Sequence, residues 1–181
     1  LGVQWQWHAN FNPKWIFNDA TNGCIRLYSY QLTENAVSLW DVPNLLLQKT
    51  PADEFIATMK LRFRPTSKYK GERTGLIVMG FDYSGLILEN TDNGILLSQA
   101  ECKDAEKRNK EIANATAAWT DQWVYLRVSF DKQALCRFSY SKDGKNYETF
   151  GKPFQAKEGK WIGAKIGTFC TRPFIQTNDG G

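Results

Sequence analysis

Histidine is nearly absent from this chain: His8 is the only one in 181 residues. Ser-His-Asp chemistry would rest on it alone, and no nucleophile signature lies nearby. A structural zinc site finds no ligand set either. Cys24, Cys102, Cys136 and Cys170 are widely spaced and share no CxxC pattern. Disulfides in an exported protein and buried free thiols on strands are both open for these four. Charge of one sign is also lacking, because 23 basic and 19 acidic residues leave a formal charge of only +4. They mix within runs such as KYKGER and KDAEKRNKE, which read as solvated faces or loop tips. Without a basic stripe or a nucleic-acid-binding motif, no nucleic-acid partner is expected. No apolar run is long enough to cross a membrane, so no membrane partner is expected. No secretory leader is visible. The chain opens directly on the strand-like LGVQWQW, as expected of a fragment or processed product, so compartment stays unspecified at this point.

What the chain has instead is short alternation. Phe55, Ala57, Met59, Leu61 and Phe63 fall at every second position, with Glu54, Thr58, Lys60, Arg62 and Arg64 between them. On a strand the two sets point to opposite faces, which is the pattern of a half-buried strand. The same reading predicts strands at Val3–Trp7, Cys24–Tyr28, Leu45–Gln48, Glu54–Arg64, Thr74–Phe81, Gly85–Asn90, Gly94–Cys102, Trp123–Phe130, Ala134–Ser141 and Ile162–Thr171. Turn signals separate them, among them Asn22-Gly23, Asp92-Asn93-Gly94, Asp143-Gly144 and Asn178-Asp179-Gly180-Gly181. The segment 104–118 has helix-forming residues but is expected to be polar strand edges and a loop. Short strands at hairpin spacing predict an all-β fold, a two-sheet antiparallel β-sandwich in a single domain over residues 1–181.

Aromatics make up 14% of the chain, with seven Trp, and they divide by position. Those within strands, such as Trp123, Tyr125 and Phe130, are expected in the core. Those in loops, such as Trp15, Trp40 and Tyr69, are where a function would show. Trp5 and Trp7 share a strand face and are expected in core or inter-domain packing. Ser141 to Tyr147 reads as a turn in which Asp143 caps and Gly144 takes a left-handed conformation.

The segments LGVQWQW, NPKW, GCIRLY, LWDVPNLLLQK, PADEFIATMKLRF, TGLIVMGFDYSGLILE, WVYLRVSF and KWIGAKIGTF resemble the C-terminal β-sandwich of glycoside hydrolase family 43. That family includes β-xylosidases and arabinofuranosidases. The resemblance covers nearly the whole chain. It implies a concanavalin-like jelly roll appended to an N-terminal five-bladed β-propeller of the same polypeptide, which holds the catalytic carboxylates and is absent from this chain. It also implies action on hemicellulose oligosaccharides (xylan, arabinoxylan, arabinan), in an exported setting, periplasmic or extracellular. In many members a sandwich loop closes one side of the propeller's sugar pocket. The matching stretch here is SLWDVPN, Ser38 to Asn44, which makes Trp40, Asp41 and Asn44 the expected substrate-contacting residues. Many β-xylosidases of the family present a Phe from this region, where this chain has Trp40.

An indole face stacks on a pyranose and a carboxylate accepts its hydroxyl protons, but Trp40 tucked against its own sandwich is an equally open reading. Catalytic carboxylates must flank a glycosidic bond at about 5–10 Å. Asp41, Asp53, Glu54, Asp82 and Glu89 include no pair that spacing singles out, so no catalysis is expected from this chain alone. No cofactor is expected, with a structural calcium ion left open. The alternative to an accessory domain is an independent carbohydrate-binding module. In the resembling family a closing strand follows the position of Gly181, so this chain is expected to lack its last strand and to leave an unpaired edge or apolar groove.

Overall fold

A computed structural model describes residues 1–66, 68–160 and 162–174; the expected turn at Asn178–Gly181 lies outside them. The strands are β1 (Gln6–Trp7), β2 (Ile16–Asp19), β3 (Cys24–Leu27), β4 (Tyr30–Gln31), β5 (Leu46–Lys49), β6 (Phe55–Leu61), β7 (Arg73–Met79) and β8 (Tyr83–Thr91). They continue with β9 (Gly94–Cys102), β10 (Ile112–Trp119), β11 (Val124–Phe130), β12 (Leu135–Ser141), β13 (Glu148–Thr149), β14 (Phe154–Gln155) and β15 (Lys165–Arg172). An eight-stranded sheet runs β1-β5-β15-β7-β8-β9-β10, with β4 continuing the β5 side of β15. A five-stranded sheet runs β13-β12-β11-β6, with β14 also on β12, and β2 and β3 form a separate hairpin. Pairing is antiparallel except between β4 and β15.

Alternation decides which side chains meet. Leu76 and Val78 of β7, Leu86 and Leu88 of β8, and Leu97 of β9 face Val124, Leu126, Val128 and Phe138 across the sandwich. Phe55 stacks on Phe130, ring centres 4.5 Å apart, and closes one end of this layer. The residues between them, Ile77, Met79, Tyr83, Ile87 and Phe169, point the other way and are covered by Leu39, Val42 and Leu45. The middle strands of the eight-stranded sheet, β15, β7 and β8, are therefore buried on both faces, the second face beneath a layer of loops. That explains the nearly unbroken apolar reading of β7 and β8, where a sheet wetted on one side would alternate.

Several expectations change. Trp123 is 38% exposed and Tyr125 points outward, because β11 turns its even-numbered residues inward; Phe130 of the same strand is core. Trp15, expected to be an accessible loop aromatic, is buried at 5% exposure. Strand pairing begins only at Gln6, leaving Trp5 outside β1, and β6 stops at Leu61. The segment after Asp104 forms a short 3₁₀ turn and then a full strand, β10, paired with β9 along the sheet edge. The strands β2, β4, β13 and β14 were not legible as such. Among the described residues β6 pairs only with β11, so its other side is a sheet edge, while β15 lies inside its sheet between β7 and β5 with β4.

Candidate functional site

The turn carrying Trp40 is built by its own polar residues. Ser38 caps a single 3₁₀ turn, Leu39–Asp41, its Oγ accepting the Trp40 N–H at 3.3 Å. Asp41 folds back so that Oδ2 accepts the Val37 N–H at 2.8 Å, and Arg108 approaches its other oxygen at 3.8 Å. Leu39, Val42 and Leu45 are buried in the second apolar layer and bolt the turn to the eight-stranded sheet. Leu39 also donates its N–H to the hydroxyl of Tyr83 at 3.1 Å.

This leaves Trp40 half-buried, packed against the second apolar layer. Its indole lies near-parallel to Phe81 at 6.1 Å, with the His8 ring edge-on at 5.9 Å. Burial, and secondarily Lys165, lower the pKa of His8, while a hydrogen bond to the Trp40 backbone raises it. The net shift is downward, which favours the neutral imidazole. Trp40 and Asp41 are thus the two half-buried residues of a turn whose Ser38, Leu39 and Val42 are buried. Asn44 does not join them: it is buried at 3% exposure, and Nδ2 donates to the Cys170 carbonyl at 2.6 Å, tying the turn to β15. His8, Phe81 and Arg108 complete the neighbourhood. The sequence did not group them with Trp40, because the contacts that gather them come from three distant parts of the chain.

The other candidate carboxylates are dispersed. Asp82 accepts the Asp104 N–H at 2.7 Å and pairs with Lys157 at 2.8 Å. Glu89 approaches Arg73 at 3.6 Å. Asp53 and Glu54 lie on the exposed turn before β6. The Ser141–Tyr147 turn serves itself: Asp143 accepts the N–H groups of Lys145 and Asn146, and Gly144 has φ +76°.

Apolar exposure is concentrated at the N-terminal end. Val3, Phe11, Phe17, Ile25, Tyr28 and Tyr30 are all large side chains open to solvent. Beneath them Trp15 meets Trp7 at 5.2 Å and Tyr30 at 6.0 Å, and Trp7 stacks on Phe11 at 5.6 Å. Monomeric proteins rarely expose apolar groups in such concentration unless another surface covers them.

A sequence profile described as the beta-xylosidase C-terminal concanavalin A-like domain matches residues 1–180. A beta-xylosidase of Formosa agariphila is 25% identical over 182 residues, covering 93% of this chain and 30% of that protein. The bifunctional GH43-CE protein of Bacteroides eggerthii superposes with a TM-score of 0.81 at 20% identity, over 95% of this chain and 22% of that one. The xylan beta-1,4-xylosidase of Bacillus halodurans C-125 gives 0.76 at 16% identity, over 95% and 34%. The structural likenesses bear on fold, and in each case the chain spans about a third or less of the relative's length. Because the profile match runs through the first strand, the Trp40 turn and both sheets, the chain belongs to the concanavalin A-like C-terminal domain family of the glycoside hydrolase family 43 β-xylosidases.

Proposed function

We propose that this chain is the non-catalytic β-sandwich of a larger exported family 43 enzyme acting on hemicellulose oligosaccharides. Its N-terminal face buttresses the five-bladed propeller of the same polypeptide, and the turn Ser38 to Asn44 extends Trp40 and Asp41 to the rim of the propeller's sugar pocket. The observation that carries this reading is the set of exposed aromatic and aliphatic groups between Val3 and Tyr30, which nothing among the described residues covers. The length of the relatives, about three times this chain or more, supports a second domain as that cover. The half-exposed indole beside a carboxylate suits a sugar ring.

In the full-length enzyme, Trp40→Ala is expected to lower kcat/KM on aryl xylosides or arabinosides by a contact of about 1–3 kcal/mol, the scale of one buried or stacked aromatic. Unchanged kcat/KM would remove the rim role. Unchanged kcat/KM together with tight, Trp40-dependent binding of xylo-oligosaccharides by the isolated domain would establish the independent binding module instead.

A further inference from the structure

Three cations stand on the outer face of the five-stranded sheet without an ion-pair partner among the described residues: Lys60 in β6, Arg62 just past it, and Arg127 in β11. The register places Lys60 opposite Tyr125 and Thr58 opposite Arg127, so all lie on the same side of the sheet. Rings hold these cations in place of carboxylates. Lys60 Nζ lies 4.6 Å from the centre of Trp123 and 5.5 Å from that of Tyr125. Arg62 lies 5.5 Å from Trp123, with the Gln122 amide also against its guanidinium. Arg127 rests 3.3 Å over Tyr147, and its Nε donates to Thr58 Oγ1 at 3.0 Å. A ring orients a cation without neutralising it, so the positive field stays directed at solvent.

Acidic groups border this field. Arg137 is paired with Asp131 at 3.3 Å on one side, Lys142 with Asp121 at 2.9 Å on another, and Asp143 closes its own turn. The uncompensated stretch from Arg62 to Thr58 is four residues of strand, about 13 Å at the usual rise. That suits a short ligand carrying occasional negative charge. A nucleic acid, with a phosphate at every nucleotide, would run past both acidic borders.

We propose that this face binds an anionic oligosaccharide, its uronate carboxylates on Lys60, Arg62 and Arg127 and a sugar ring along the exposed indole of Trp123. The choice of a glycan rests on the hemicellulose reading above; the site itself uses other residues, on the opposite side of the molecule from Trp40, whose turn covers the outer face of the eight-stranded sheet.

The test is calorimetric titration of the full-length protein with trigalacturonate, xylotriose and a short oligo-dT. Trigalacturonate is expected to bind in a salt-weakened manner, and Arg127→Ala is expected to weaken it about tenfold, as removal of one charge-assisted contact does, while Arg127→Lys retains most of it. Lys60→Glu, at an exposed position, repeats the test should Arg127→Ala fold poorly. Binding of xylotriose is expected to be the same in wild type and variants. Trigalacturonate binding that is absent, or indifferent to both Arg127→Ala and Lys60→Glu, overturns the proposal, as does tighter binding of oligo-dT at the same residues. Because Trp40→Ala is read by turnover and this site by direct binding to Lys60 and Arg127 variants, either can fail alone.

Discussion

The hydroxyl of Tyr83 accepts the backbone N–H of Leu39 at 3.1 Å and donates to Glu111 Oε2 at 2.8 Å. One phenol at the start of β8 thereby anchors the turn that carries Trp40, and Glu111 in turn engages Arg73. Burial first, and then the Glu111 charge, push the Tyr83 pKa far above the ordinary tyrosine range, so the hydroxyl keeps its proton and remains a donor.

Tyr83→Phe removes both bonds while keeping the ring. It leaves the Leu39 N–H and one Glu111 oxygen without their partner, a loss of about 1–3 kcal/mol for buried polar groups. Urea unfolding should show a lower midpoint with unchanged slope. A wild-type midpoint would mean that the bonds contribute nothing net.

The chain's alternation made most of the sandwich legible. β6, β11 and β12 were placed to within a few residues because period two survives where one face is buried, and β9 and β15, covered on both faces, because short runs bounded by turn signals mark them. β10 was not, since Ile112–Trp119 is rich in Ala and borders a helix-like run, and its pairing with β9 is a tertiary fact. Trp123 and Tyr125 show a second limit. Period two says which residues share a face, but mixed faces such as Trp123-Tyr125-Arg127 leave open which face is inside. In the Trp40 turn, the local hydrogen bonds of Ser38 and Asp41 emerged only with the fold, and Asn44 looked like an accessible polar residue. Its partner, the Cys170 carbonyl, lies 126 residues away.

His8 gives the Trp40 region a pH dependence of definite sign. Its pKa in the fold is below the ordinary 6.5, so the unfolded chain binds the proton more readily. Stability from this residue is present above pH 6.5 and is lost as pH falls below it toward the depressed folded value. His8→Gln should flatten the difference between stabilities measured at pH 7.5 and below pH 6.5. Identical pH profiles for wild type and His8→Gln would refute the linkage.

The core between the sheets should be the least forgiving region. Leu126 is fully buried and sits between the facing sheets. Leu126→Ala is expected to cost about 2–5 kcal/mol from lost burial plus the cavity left behind. Chemical denaturation reads this directly, and a loss under 1 kcal/mol would mean the site collapses around the smaller side chain.

The last prediction concerns close approach within the eight-stranded sheet. Gly75 of β7 pairs with Ile87 of β8, and a Cβ at Gly75 would strike the Leu86 carbonyl oxygen and crowd the Ile87 Cα. Both obstacles are backbone, in the middle of a ladder whose two faces are covered, so no flexible side chain can swing aside. The neighbouring strand would have to move, and with it Ile87 in the layer that seats Leu39 and Trp40. Gly75→Ala is therefore expected to destabilise despite the entropy it removes from the unfolded chain, by about 1–3 kcal/mol or more, as overpacking does. Amide exchange should localise the effect: Leu86 and Ile87 are expected to lose protection ahead of β11 and β12 in the other sheet. Wild-type stability with unaltered protection in β8 would show that the strands separate at negligible cost and that glycine is not required there.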